Sequence, residues 1–133
     1  MLNPCKLFFS GLVTVTMLAA IPAGAKDLDA DSMRKLASGK TWSAANLLNS
    51  TQSASFDWKA DGTVCLRLDS TSSKCDDSGT WKIVDQRICY EMTWWLKSYD
   101  LKSACLSVVD LGKSRYEAKL PSGTSFFKFT VMK

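Results

Sequence analysis

The chain has 133 residues, with 17 basic and 13 acidic side chains, five cysteines and no histidine. That length allows one domain, and the net charge of +4 is spread without a basic block, which argues against a nucleic-acid partner. The lack of histidine excludes Ser-His-Asp, Cys-His and histidine-zinc chemistry.

The first element is an export signal. Lys6 supplies a positive start, and residues 7–20 are apolar apart from Ser10, Gly11, Thr14 and Thr16. Pro22 breaks the run, and Ala23-Gly24-Ala25 places small residues where a signal peptidase cuts. The apolar stretch is too short to span a bilayer comfortably, so the expectation is a signal peptide over 1–25 and no membrane span in the mature form. Cys5 precedes the apolar run, whereas a lipid-attachment cysteine would follow the cut, where Lys26 stands. Cleavage leaves 108 residues with net charge +3. The expected location is periplasmic or extracellular.

Residues 26–40 read as a linker and a short helix, with Asp29 or Asp31 as its N-cap. Met33 and Leu36 share a face, and Gly39 ends the helix. Residues 41–133 form the folded body, starting at Thr41-Trp42. Asn49-Ser50-Thr51 is a glycosylation sequon, without meaning in a bacterial chain.

From about Ser53 the apolar residues recur with period two between turn residues. Phe56 and Trp58 mark one strand; Val64, Leu66 and Leu68 mark the next, after a turn at residues 59–62. A polar loop over 70–78 leads to Trp81 and Ile83, then to a turn at Asp85-Gln86. Ile88, Tyr90, Met92 and Trp94 alternate along a long strand, and residues 97–102 form a loop. Ala104, Leu106 and Val108 follow. After a turn at Gly112 come Tyr116, Ala118 and Leu120. Pro121-Ser122-Gly123 turns the chain into Phe127, Phe129 and Val131. Seven or eight strands with hairpin-length loops predict an antiparallel meander. Closure removes its open edges. The expected fold is mainly β: an up-and-down, lipocalin-like barrel or a sandwich, with a short N-terminal helix.

Four cysteines remain in the mature part: Cys65, Cys75, Cys89 and Cys105. An even number in an exported chain reads as two disulfides, for which three connectivities exist. The strand layout favours Cys65 with Cys75 across the polar loop and Cys89 with Cys105 across one hairpin. All four lie off the apolar phase, on the outer surface.

One ordered set of short motifs runs through nearly the whole mature chain. It comprises Gly39-Lys40-Thr41-Trp42, Asp61-Gly62-Thr63, Gly79-Thr80-Trp81-Lys82, Arg87-Ile88-Cys89-Tyr90 with Trp94 beyond, Ala104-Cys105-Leu106, Tyr116, and Pro121-Ser122-Gly123 followed by Phe127. In this the chain resembles a family of short exported proteobacterial proteins known as domain of unknown function 995. The resemblance implies a secreted β domain and supports pairing Cys89 with Cys105. By the same pattern, Cys65 and Cys75 are an addition. The family's histidine after the second cysteine is missing here, so no role for it transfers. The resemblance implies no activity.

Little else could carry chemistry. Glu91 and Glu117 are the only glutamates, and a paired-carboxylate hydrolase would have to use them; solvated acids facing Arg87 or Arg115 are the blander reading. Asp76-Asp77 with Asp69 could offer oxygen ligands to calcium, or simply form an acidic loop. No catalytic residue, metal site or cofactor is assigned. The aromatic residues are more suggestive. On a regular strand the adjacent Trp94 and Trp95 point to opposite faces. One of them, with Lys97 and Tyr99, then forms a candidate binding surface, with Trp95 as the expected exposed ring; a bulge turning both rings inward is the competing reading. The expected function is a non-enzymatic binding domain. It would contact an envelope protein through this loop, enter a partner's cleft with residues 26–40, or hold a small apolar ligand in the barrel. The alternatives are the small hydrolase and an envelope structural or stress factor.

Overall fold

The computed structural model describes residues 26–132; the expected signal peptide and its Cys5 lie outside them. The elements are β1 (Lys26–Asp27), α1 (Ala30–Ala37), β2 (Lys40–Ala45), β3 (Ala54–Trp58), β4 (Thr63–Arg67), β5 (Asp77–Val84), β6 (Arg87–Met92), β7 (Ser103–Gly112), β8 (Arg115–Lys119) and β9 (Ser125–Met132). From β2 to β9 each strand pairs antiparallel with the next. β9 then returns to β2, in register from Thr41↔Met132 to Ala45↔Lys128. The result is a closed, eight-stranded up-and-down barrel, which decides between barrel and sandwich. β1 lies outside this circuit. It pairs with β7 at Val109 and Asp110, beyond the point where β6 leaves that strand at Leu106.

The period-two pattern places the core as expected. Trp42, Phe56, Trp58, Val64, Leu66, Ile88, Tyr90, Met92, Leu106, Val108, Ala118, Phe127 and Phe129 are buried inside. Their rings touch in a chain along the interior: Trp42 stacks on Phe129 at 4.0 Å between centroids, and Phe56 stacks on Trp58 at 5.5 Å and on Phe127 at 5.1 Å. Offset and edge contacts of this kind each add about 1 kcal/mol beyond burial. The register shift at Ala118/Lys119 adds a residue to β9, so Phe126 and Phe127 are both fully buried. Strict alternation would put Phe126 outside; a bulge opposes two residues to one and turns both inward.

Several elements differ from the sequence reading. β2 is a full strand ahead of the seven traced from Ser53, so the barrel has the upper number of the expected seven or eight. β1 occupies part of the expected linker, and Leu68 and Leu120 fall just past their strands. β6 ends at Met92, two residues short of Trp94. The helix is as expected: Asp29 accepts from the Ser32 N–H at 2.8 Å, Met33 is fully buried, and Gly39 takes φ +72. Asp31 instead faces Arg34 on the surface. α1 closes one end of the barrel, where Trp42 Nε1 donates to the Leu36 carbonyl at 2.9 Å and Gly39 N donates to Trp58 O at 2.7 Å.

The disulfides are Cys65–Cys75 and Cys89–Cys105. Cys89 and Cys105 are direct cross-strand partners on the outer face of β6 and β7. Cys75 bridges back to β4 and staples the β4–β5 loop.

Candidate functional site

The end closed by α1 carries the tight β3–β4, β5–β6 and β7–β8 turns. The opposite end carries the β2–β3, β4–β5 and β6–β7 loops and the β8–β9 turn. The β6–β7 loop, residues 93–102, is built around a buried carboxylate. Asp77, at the start of β5, is 5% exposed. Its Oδ2 accepts from the backbone N–H groups of Thr93 at 3.2 Å, Trp94 at 2.9 Å and Trp95 at 2.8 Å, and its Oδ1 accepts from Ser78 N at 2.8 Å. Burial pushes this carboxyl upward, but the N–H donors of Trp94, Trp95 and Ser78, aided by Thr93, outweigh it and hold the group below the ordinary aspartate range. Farther along the loop, Leu101 N donates to Leu96 O at 3.0 Å and the Tyr90 hydroxyl donates to Leu101 O at 2.6 Å. Burial raises the Tyr90 hydroxyl pKa, keeping it a neutral donor.

This anchoring decides the two tryptophans. Trp95 is 4% exposed and packs against Phe56, Tyr90 and Phe126, with centroids 5.4 to 6.2 Å away. It plugs the loop end of the barrel. Trp94 is 50% exposed and Tyr99 is 66% exposed, with Lys97 also exposed between them. The expectation of one inward and one outward ring holds, but the assignment is reversed: Trp95 belongs to the core and Trp94 to the surface. The reason is that neither residue lies on a strand, so strand phase does not apply to them. Trp94, Lys97 and Tyr99 remain together on one exposed depression. Beside it, Leu47, Leu48, Ser50, Gln52, Trp95, Leu96 and Tyr99 line a cleft of about 240 Å3 between the β2–β3 and β6–β7 loops.

The other candidates are dispersed. Glu91 pairs across from Ser103 on β7, whereas Glu117 pairs across from Val109. Six residues along one strand separate those partners by about 20 Å, at ~3.3 Å per residue. A glycosidase pair needs roughly 5–10 Å. Glu117 instead accepts from Ser125 Oγ at 3.1 Å and lies 3.8 Å from Lys119 Nζ. Asp69 accepts from the Thr71 N–H and hydroxyl, and Asp76 accepts from Leu68 N. With Asp77 turned into its own loop, the three aspartates do not converge, and no group of three potential metal ligands lies together among the described residues.

Sequence reasoning missed the role of Asp77. It stands 16 to 18 residues from the loop amides it holds, and the β5–β6 hairpin, whose register ends at Gly79↔Met92, brings them together. Two disulfides are compatible with an oxidising, extracellular or periplasmic environment, and no described helix is long and apolar enough to cross a membrane. No family model, curated protein or solved structure matches the chain.

Proposed function

We propose that this chain is a secreted or periplasmic, non-enzymatic binding domain that engages an envelope partner through the Trp94–Tyr99 surface. The observation that carries this reading is the contrast between neighbours: Trp95 is locked into the core, while Trp94 and Tyr99 stand in solvent on a loop braced by Asp77. Large rings on an ordered loop give contact area at low entropic cost. The filled interior favours a surface over an apolar ligand carried inside, so the lipocalin-like aspect of the proposal is confined to strand order. The separation of Glu91 from Glu117 leaves the hydrolase without a pair. The motif set supports membership in the domain of unknown function 995 family, and export through the 1–25 signal belongs to the same proposal.

A photo-crosslinking residue placed at 94, at 99 or at the exposed Val84 near the opposite end tests this in the native compartment. Discrete adducts from 94 and 99, with none from 84, are expected. Equal labelling from all three positions, or none from any, overturns a protein partner at this surface.

A further inference from the structure

Two leucines beside the aromatic surface hold an unusual backbone. Leu48 has φ 50 and Leu96 has φ 58, and both line the cleft. The left-handed region costs a side-chain-bearing residue about 1–2 kcal/mol. Asp85, Lys113 and Ser114 also take positive φ, but they sit in two-residue hairpin turns that require it. The leucines, like Asn46, Asn49 and Asp100 on the same loops, take it outside the hairpins, in the hydrogen-bonded turns Asn46–Asn49 and Trp94–Lys97, where glycine or asparagine is the usual residue at the leucine's position. Strain of this kind collects at ligand clamps.

The cleft is also uncharged. Leucines and Tyr99 wall it, the buried Trp95 backs it, and the Gln52 amide supplies a neutral polar group, whereas the Ser50 hydroxyl donates to Leu47 O at 2.6 Å and accepts from Gln52 N at 3.1 Å within the loop. The adjoining depression adds Trp94 and a single cation, Lys97, with no carboxylate in either lining. No arginine occurs on either loop, although arginine accompanies aromatic residues at protein interfaces. Open rings beside a neutral amide suit a ligand with C–H faces for stacking and hydroxyls for hydrogen bonding. The space of about 240 Å3 is below the roughly 300–1,000 Å3 of drug-sized sites and accommodates a single sugar ring.

We propose that the loop end binds a neutral saccharide, with one pyranose unit in the cleft against Tyr99, hydrogen-bonded to Gln52, and a neighbouring unit stacked on Trp94. This rests on the binding-surface reading above and names the ligand chemistry of that surface.

The test titrates the oxidised mature chain with the N-acetylglucosamine tetramer and with maltotetraose. Binding is followed by NMR at the Trp94 indole N–H and the amides of residues 48–52 and 96–99. Saturable shifts confined to these groups with at least one of the two are expected. Trp94→Ala and Tyr99→Ala should each weaken that binding about tenfold, equivalent to ~1.4 kcal/mol, while Val84→Ala should leave it unchanged. No shift with either saccharide at about ten millimolar, a generous excess for so weak a class of ligand, overturns the saccharide inference. If crosslinks at 94 still capture a protein, the binding surface stands with a protein partner. If neither saccharide nor crosslink appears, both readings fall.

Discussion

At the helix end of the barrel, the β5–β6 and β7–β8 connections are two residues each, and α1 seals the opening with Met33 and Ala37 buried beneath it. At the loop end, residues 46–53, 68–76 and 93–102 connect the strands, and the seal is made by side chains of the loops themselves, Trp95 with Leu47 beside it. The two ends solve the same problem by different means. A capped helix satisfies its own backbone and brings an apolar face to the opening. Long loops cannot do this, so the loop end uses a buried carboxylate to collect three backbone N–H groups. Irregular backbone held still by such a device can present side chains outward in a fixed arrangement. Trp94 and Tyr99 are presented in this way, and no comparable exposed pair of rings stands at the helix end among the described residues.

The sharpest way to break this comparison is to remove its seal. Trp95→Ala should cost about 3–5 kcal/mol, as a fully packed aromatic does, whereas Trp94→Ala should stay within about 0.5 kcal/mol. Urea unfolding of the two variants checks this; equal losses would show that Trp94 is also structural.

Next come the disulfides. Replacing either pair with alanines should cost about 3 kcal/mol by loop entropy. The local part of the two losses should differ in place. Without Cys65–Cys75, the slowest amides throughout the barrel should lose the same global protection, and a further loss by local opening should fall on the 68–76 loop and its flanks. Without Cys89–Cys105, the further loss should fall on β6 and β7. Hydrogen exchange of each variant decides the matter, and uniform protection loss alone in both would contradict a local staple.

Asp77→Asn should cost about 2 kcal/mol, because one amide cannot accept all four N–H groups and its own N–H2 faces one of them. The sign of the pH effect follows from the direction of the shift. The folded carboxyl lies below its ordinary value, so its contribution is full above the unfolded aspartate pKa near 4 and is lost as pH falls through the lower folded value. The wild-type chain should therefore lose stability below about pH 4 more steeply than the Asn variant. Parallel curves would remove Asp77 from that role.

The smallest effect sharpens the contrast in backbone. Lys113→Gly relieves a left-handed residue in a helix-end turn and should stabilise by about 0.5 kcal/mol, after the entropy cost of glycine. Leu48→Gly relieves the same conformation at the loop end but removes a cleft wall, so it should weaken ligand contact at similar stability. If Leu48→Gly leaves binding unchanged, the strained leucine has no part in the cleft.

The period-two apolar pattern determined most of the barrel by itself. On paired strands, alternation fixes which side chains face inward, and hairpin-length loops force neighbours to pair. Phe56, Trp58, Val64, Leu66, Ile88 and Tyr90 were legible for that reason, as were the helix cap at Asp29 and the two nearest-neighbour cysteine pairs. Gly79 carried its signal only as a motif residue. In the structure a Cβ there would land on the Glu91 carbonyl, which leaves no room for any other residue.

What tertiary structure decided lies where no local period operates. The inward Phe126 depends on a bulge set by the β8–β9 register. The exchange of roles between Trp94 and Trp95 depends on β6 ending at Met92 and on a carboxylate reaching from another strand. The cleft joins loops at 46–52 and 94–99 that are distant in sequence. The first two depend on the detailed register of a hairpin and the third on loops that barrel closure brings side by side, and a one-dimensional pattern carries neither the place of a bulge nor the strand end at which a carboxylate meets free N–H groups.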